Sequence, residues 1–296
     1  MRKFIILPIL AVAILFASCQ KEEVPVDSVD DNLKINLSFG VKTKVSDSSF
    51  DINDEVGIYV VNNADGEEGV LVNSGNHYDN VRFTYSGSGW VSSTDTYWMD
   101  KSTPAVFYCY HPYGSPESVS AYLFSVKADQ STIANYKDSD FVWGKTSPIT
   151  PTKDMIQIGT NHIMSNVVVY VQPGEGFTSE ELDDADVCVR IRNIQTSALV
   201  NLSDGSVTAT GSVGNIIMHN EDGSYRAVVI PQTVANGTAL VGVEIDGTEY
   251  TLKKGFSFKS GVKHKFTINV NKTESGVKVE VGDWETDDED YGGEAE

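Results

Sequence analysis

The stretch Leu33-Lys34-Ile35-Asn36-Leu37-Ser38-Phe39 decides the fold. Leu33, Ile35, Leu37 and Phe39 point one way; Lys34, Asn36 and Ser38 point the other. This is the period of a half-buried strand. The same alternation runs on to Trp284, in β-branched and aromatic segments punctuated by Gly, Asn and Asp. The chain is therefore read as all-β with antiparallel strands. Residues 56–61 form a second strand, apolar on both faces except at Gly57, and 62–80 form a long surface loop. Val81, Phe83 and Tyr85 are one arm of a hairpin that turns at Ser86-Gly87-Ser88-Gly89 and returns with Trp90. Residues 105–110 are a buried strand ending at His111-Pro112-Tyr113. Shorter strands at 122–126 and 141–143 flank a polar, irregular stretch, 129–140.

In the second half, 156–171 carries Val167, Val169 and Val171 on one face. Val187, Val189 and Ile191 make a strand. Val262, His264, Phe266, Ile268 and Val270 alternate strictly, and Val277, Val279 and Val281 return. Asp204-Gly205, Asp222-Gly223 and Asp246-Gly247 each lie between alternating runs, and Asp-Gly supplies the positive φ of tight hairpins. Thr178-Ser179-Glu180-Glu181 has capping-box form and predicts one helical turn. Pro148 and Pro151 mark a break. Two successive β-sandwiches are expected, 33–152 and 153–284. The last stretch, 285–296, is an acidic tail too polar to fold.

Upstream of the opening strand, Arg2 and Lys3 give a basic start, 4–16 an apolar run interrupted only by Pro8, and Ala17-Ser18-Cys19 a small-residue close. These are the three parts of a secretory signal. The run is shorter than the roughly 20 residues that span a bilayer. A cysteine directly after Ala17-Ser18 resembles a bacterial lipobox, although Phe16 departs from the commoner Leu or Val. That resemblance implies removal of 1–18 and lipidation of Cys19, an anchor that tethers without spanning. The alternative is an ordinary cleaved signal with an accidental cysteine. Gln20-Lys21-Glu22-Glu23 resembles the export tag that takes Bacteroidetes lipoproteins to the outer face of the outer membrane. Residues 19–32, polar, acidic and broken by Pro25, read as a flexible tether.

The net charge is −20, and two more cations leave with the signal. Such a surface repels nucleic acid and anionic headgroups, which excludes both as partners. Apart from Cys19 there are only Cys109 and Cys188. Cys109 is in register with Phe107, facing inward, and Cys188 with Arg190, facing outward, so no disulfide is expected. No Gly-x-Ser-x-Gly, phosphate-binding Gly-rich loop or Cys-x-x-Cys occurs, and no cofactor is implied. His77, His111, His162, His219 and His264 are too far apart in sequence to form a local metal pair. His264 falls on an inward face and His111 ends a strand; His162 is the least easily assigned to structure. Asp183, Asp184 and Asp186, and likewise Asp51, Asn53, Asp54 and Glu55, lack the alternating spacing of a calcium loop. Trp90, Tyr97, Trp98, Tyr108, Tyr110 and Tyr113 read as sandwich core, with a sugar-binding face as the alternative.

Six motifs, in order, carry a family resemblance. They are Phe50-Asp51-Ile52-Asn53-Asp54-Glu55-Val56-Gly57-Ile58-Tyr59, Ala105-Val106-Phe107-Tyr108-Cys109-Tyr110-His111-Pro112-Tyr113, Ser139-Asp140-Phe141-Val142-Trp143, Asn161-His162-Ile163-Met164-Ser165, Ile230-Pro231-Gln232-Thr233 and Gly282-Asp283-Trp284. Over most of the mature chain the sequence resembles the fimbrillin family of Bacteroidetes, which includes stalk and tip subunits of surface fimbriae. The resemblance implies two tandem transthyretin-like β-sandwich domains, a lipidated precursor and no enzymatic activity.

It also implies assembly by strand exchange. In stalk subunits a protease removes the N-terminus with the first strand, and the vacated groove takes a strand from another subunit. Backbone bonds give the affinity and alternate side chains fill pockets. Here the exchangeable strand is that of Leu33, Ile35, Leu37 and Phe39. The basic residues after it are Lys42 and Lys44, where the family usually has Arg, so either a Lys-tolerant protease cuts there or the chain is not cut. Burying four such side chains is worth roughly 6–12 kcal/mol, against a whole-domain stability of about 5–15 kcal/mol. A stripped domain therefore favours polymerisation. The tail after Trp284 is too acidic to fill an apolar groove, which makes the chain a poor strand donor: a tip, accessory or anchor component more than a stalk unit. The partners implied are other subunits, the outer membrane and a ligand on a host or bacterial surface. Two readings from other classes stay open: a surface glycan-binding lipoprotein of a polysaccharide-uptake system, and a hydrolase with a site assembled from distant residues.

Overall fold

The computed structural model describes residues 33–42, 50–64, 67, 69–273, 276–281 and 285–286. The signal, Cys19, the tether, Lys44, Gly282-Asp283-Trp284 and the tail beyond 286 lie outside the described residues. In chain order the first strands are β1 (Asn36–Val41), β2 (Glu55–Asn62), β3 (Tyr78–Tyr85), β4 (Trp90–Ser92), β5 (Ala105–His111) and β6 (Tyr122–Ser125). A short helix, α1 (Ile133–Lys137), precedes β7 (Val142–Lys145) and β8 (Met155–His162). All of these strands except β6 form one sheet, in the order β1-β8-β7-β5-β2-β3-β4.

The remainder comprises β9 (Ser165–Pro173), α2 (Ser179–Asp183), β10 (Val187–Val200), β11 (Val207–Ile217), β12 (His219–Glu221), β13 (Ser224–Val229), β14 (Gln232–Val234), β15 (Ala239–Ile245), β16 (Thr248–Lys253), β17 (Phe256–Phe258), β18 (Lys263–Thr273), β19 (Gly276–Val281) and β20 (Glu285–Thr286). One sheet runs β11-β10-β15-β16, with β6 also on β10. A second runs β12-β13-β9-β18-β19, with β20 also on β18, and β14 pairs with β17. The two sheets share a core in which Val189, Ile191, Val241 and Val243 from one meet Val167, Val169, Ala227 and Phe266 from the other.

The unbroken apolar runs of β2 and β5 follow from burial on both faces. Val56, Ile58, Val60, Phe107 and Cys109 face the core that holds β1, while Tyr59, Val61, Val106, Tyr108 and Tyr110 face the larger one. Gly57 stands opposite Tyr110, and a Cβ there would collide with the tyrosine ring. Burial pushes the Tyr59 hydroxyl up to about 12 and raises Tyr110 and Tyr122 as well. Above the unfolded value of about 10 the unfolded chain releases these protons while the folded chain keeps them. Stability is therefore whole below pH 10 and falls above it, by up to roughly 1.4 kcal/mol per pH unit for each such tyrosine. Urea titrations at pH 8, 10 and 11 should show that decline; a flat profile would mean these tyrosines ionise in the fold.

Local turn chemistry behaves as expected at two of the three Asp-Gly sites and at α2. Asp222-Gly223 and Asp246-Gly247 are two-residue turns with φ of 48° and 81°, and 49° and 79°, linking β12 to β13 and β15 to β16. Asp204-Gly205 instead lies in a longer β10–β11 loop, where only Gly205 has positive φ (74°). Thr178 caps α2 in a full capping box with Glu181. Thr178→Ala should cost about 1 kcal/mol in chemical denaturation.

Several expectations are corrected. Not every pair is antiparallel: β1–β8 and β9–β18 are parallel, joining strands so far apart in sequence that local alternation is silent about direction. Residues 156–171 are two strands, because the chain leaves the first sheet at Ile163-Met164. Residues 155–162, assigned by their position after Pro151 to the second half, pair in the first sheet. The Pro148–Pro151 region is an excursion within that sheet, since Ala105 and Ile149 exchange backbone hydrogen bonds of 3.0 and 2.9 Å. Finally, α1 lies inside the stretch read as irregular, and Glu285–Thr286, read as tail, pairs with Lys265 and His264.

Candidate functional site: the sealed first strand

The opening segment, Leu33 through β1, is held on both sides. On one it runs parallel to β8, from Asn36 opposite Met155 to Val41 opposite Thr160. Lys42 N–H extends the ladder to Thr160 O at 2.7 Å. On the other side the segment after β4 reaches across. Ile35 N–H donates to Thr96 O at 2.9 Å, and Trp98 N–H to Leu33 O at 2.8 Å. The sheet thus curls until its two ends meet over the first strand.

Ile35, Leu37 and Phe39 are only 3, 6 and 6% exposed, and Leu33 packs, partly buried, on the same cluster. Phe39 meets Phe83 and Trp90 edge-on, with centroids 5.3 and 4.9 Å apart. All four residues singled out from the sequence thus come together. Lys42 is exposed at the strand's end, its stem lying over Gly159; Lys44 and Cys19 fall outside the described residues. Sequence reasoning missed the clamp formed by Thr96–Trp98. Its signal is faint: one buried tryptophan (3% exposed) in a polar loop, with Nε1 donating to Thr152 O at 3.1 Å.

The aromatics named as a sugar-binding alternative are mostly interior. Trp98, Tyr108 and Tyr110 are buried, and Trp90 packs on Phe39, Phe50 and Tyr85. Every histidine has a protein partner. His77 Nε2 bonds Tyr97 O at 2.7 Å, His111 Nδ1 bonds Glu55 O at 2.8 Å and His219 Nδ1 bonds Ser131 O at 2.8 Å. Buried His264 accepts from Lys259 N–H at 3.1 Å.

His162 Nδ1 bonds Asp140 on the wall of a groove of about 230 Å³, where His111, Ile133 and His219 also lie. A His–carboxylate pair in a cleft is what a hydrolase would show. The neighbouring hydroxyls, however, are committed to backbone: Ser165 Oγ donates to Lys259 O at 2.6 Å and Ser260 Oγ to Ile163 O at 2.9 Å. The His162–Asp140 bond clips the end of β8 to the start of β7. The acidic cluster at 51–55 is similarly occupied: Asp51 pairs with Lys137, Asp54 accepts from Asp51 N–H, and Glu55 meets Arg82. Among the described residues no three metal-ligating side chains converge.

Comparison with known proteins agrees with this architecture. A protein of Bacteroides uniformis named as fimbrium subunit Fim1C is 23% identical over 298 residues, covering 96% of each chain. A solved structure from B. uniformis, named for cell adhesion, superposes with a TM-score of 0.65 at 19% identity, over 87% of this chain and 99% of its own. Another so named, from Bacteroides ovatus, gives 0.66 at 15% identity, over 86% and 97%. The model of the fimbrillin-like family matches residues 43–284, and the chain belongs to that family.

Proposed function

We propose that this chain is a non-enzymatic subunit of cell-surface fimbriae, of tip, accessory or anchor type. In this reading it is lipidated on Cys19, held at the outer membrane, and assembles by exchanging residues 33–39 for a strand of a neighbouring subunit. The described strands then make two tandem transthyretin-like sandwiches, with β6 of the first half lying in the sheet of β10, and their outer surface mediates adhesion. Family membership supports the fimbrial role. The observation that carries the exchange is β1 itself: buried, parallel to β8 and, among the described residues, followed by no strand until Glu55. It is an insert that can leave without drawing any other described strand with it. The tail's eight acids in 283–296 favour a subunit that receives a strand over one that donates.

A reversible lock tests this. Ser38 and Gln157 are directly paired and outward-facing. An oxidised Ser38→Cys/Gln157→Cys chain should be excluded from filaments, and reduction should restore incorporation. Equal incorporation of both forms would sink strand exchange.

A further inference from the structure

We propose that the groove walled by His162 is a binding site for a short, uncharged saccharide. It gives the adhesive side of the fimbrial reading a place on this chain and does not depend on strand exchange. The groove lies where the chain crosses from the first sheet to the second. α1, β7, the end of β8, the Met164–Asn166 crossover and β12–β13 all contribute to it. Its walls are tied together by the fold itself. Asn166 Nδ2–H donates to the hydroxyl of buried Tyr136 at 2.7 Å. Gly261 N–H donates to Met164 O at 2.9 Å, and Asn166 N–H to Val262 O at 3.0 Å.

The chemistry of the walls selects the ligand by exclusion. Backbone groups there are already taken, Val228 N–H and O by Gln130 and Met164 O by Gly261, so an extended peptide has little to pair with. The lining carries the cations Lys137, Arg226 and Lys263 and the carboxylates Asp51, Asp54, Asp138, Asp140 and Glu221. Most of these charges hold one another: Lys137 meets Asp51 at 2.6 Å, Arg226 meets Glu221 at 2.8 Å, and His162 meets Asp140. An anion would face the carboxylates, on a chain that carries −20 overall. A cation would have to draw them from the partners they already have. An apolar ligand would strip water from the ion pairs, a desolvation that contact alone does not offset.

A neutral ligand that donates and accepts at many points meets none of these costs. Each sugar hydroxyl donates one hydrogen bond and accepts others, and paired carboxylates, ammonium and guanidinium groups keep unused acceptors and donors. Two observations point the same way. Asn166 Oδ1 is buried on the groove wall with no hydrogen-bond partner among the described residues, an acceptor that a ligand hydroxyl would satisfy. His219 stacks on Tyr136 with centroids 6.1 Å and planes 29° apart, and Ser131 O fixes its Nδ1. Tyr136 is buried and His219 is partly exposed, so the imidazole offers the flat face on which the C–H side of a sugar ring packs.

The test is binding of the mature chain, in detergent, to immobilised neutral oligosaccharides of glucose, galactose, mannose and N-acetylglucosamine, beside uronate and sialylated ones. At least one neutral series should be bound, with an affinity that holds between about 50 and 500 mM salt because no ion is exchanged. His219→Ala removes the ring, and Ile133→Trp fills the groove from a side chain 48% exposed. Each should weaken binding by about tenfold or more, whereas Val213→Trp, 62% exposed and outside the groove, should not. Failure to bind any neutral series overturns the proposal, as does binding that salt abolishes. So does binding that Ile133→Trp leaves intact, which also covers the case in which His219→Ala fails to fold. Ile133→Trp should still enter filaments as wild type does. A chain that binds sugar in the groove and never enters filaments sinks the fimbrial reading and leaves the saccharide site standing.

Discussion

A chain beginning at Thr43 should lose most of its first-sheet stability and recover it when a peptide of residues 33–42 is supplied. That start reproduces a cut after Lys42. It removes Ile35, Leu37 and Phe39 from the core. At about 1.5–3 kcal/mol each, their burial is worth roughly 4.5–9 kcal/mol, an upper estimate because the unfolded chain already hides some apolar surface. The truncation also bares one edge of β8 and the Thr96–Trp98 clamp, whose backbone bonds end on Leu33 and Ile35, just before β1. Against about 5–15 kcal/mol for a domain, the loss brings the first sheet close to its midpoint. Trp90 packs on Phe39, and Trp98 is hydrogen-bonded to Leu33, so tryptophan fluorescence reports the event directly. The truncated chain should show a red-shifted spectrum and a much lower urea midpoint. The peptide should reverse both; a peptide with Asp at 35 and 37 should not. If the shortened chain matches the full one in midpoint and spectrum, β1 does not hold the sheet together and has no place as an exchangeable strand.

That strand was readable in advance because its physics is local. Alternation says which side chains share a face, and Leu33, Ile35, Leu37 and Phe39 do share the buried one. The turns at Asp222-Gly223 and Asp246-Gly247 were readable for the same reason: positive φ is a demand on two residues and their neighbours. What escaped is non-local. Nothing within Asn36–Val41 says that its partner is Met155–His162 or that the pair is parallel. Nothing in the apolar run around Ile163 says that the chain changes sheets there, since Ile156, Ile158, Val167 and Val169 are buried on either side. The Pro148–Pro151 region looked like a boundary because proline ends strands wherever it stands; the Ala105–Ile149 bonds that keep it in the first sheet belong to a partner more than forty residues away. The stretch 129–140 looked irregular because its key contact is made by one glutamine side chain rather than by a periodic backbone.

That glutamine carries the second large expected effect. Gln130 is fully buried. Its Oε1 accepts Val228 N–H at 2.8 Å, and its Nε2 donates to Val228 O at 2.8 Å and to Lys127 O at 3.1 Å. β12 pairs with β13 only from Ser224 to Arg226; beyond that, the Gln130 amide stands in for the missing strand. Gln130→Ala should leave the N–H and C=O of Val228 buried without these partners, at about 1–3 kcal/mol each, or roughly 2–6 kcal/mol in all. Gln130→Glu separates the causes. Ionised, it keeps an acceptor, loses the donor to Val228 O and buries a charge. Burial raises its folded pKa above the unfolded value of about 4.3. The variant should therefore be most stable at low pH, where the carboxyl O–H can donate, and should weaken relative to wild type as pH rises from the unfolded value through the folded one. Urea midpoints of wild type, Gln130→Ala and Gln130→Glu at pH 4.5 and 8 decide the matter. If Gln130→Ala is as stable as wild type, or the Gln130→Glu deficit does not grow with pH, then Val228 finds its partners elsewhere and the side chain is no substitute for a strand.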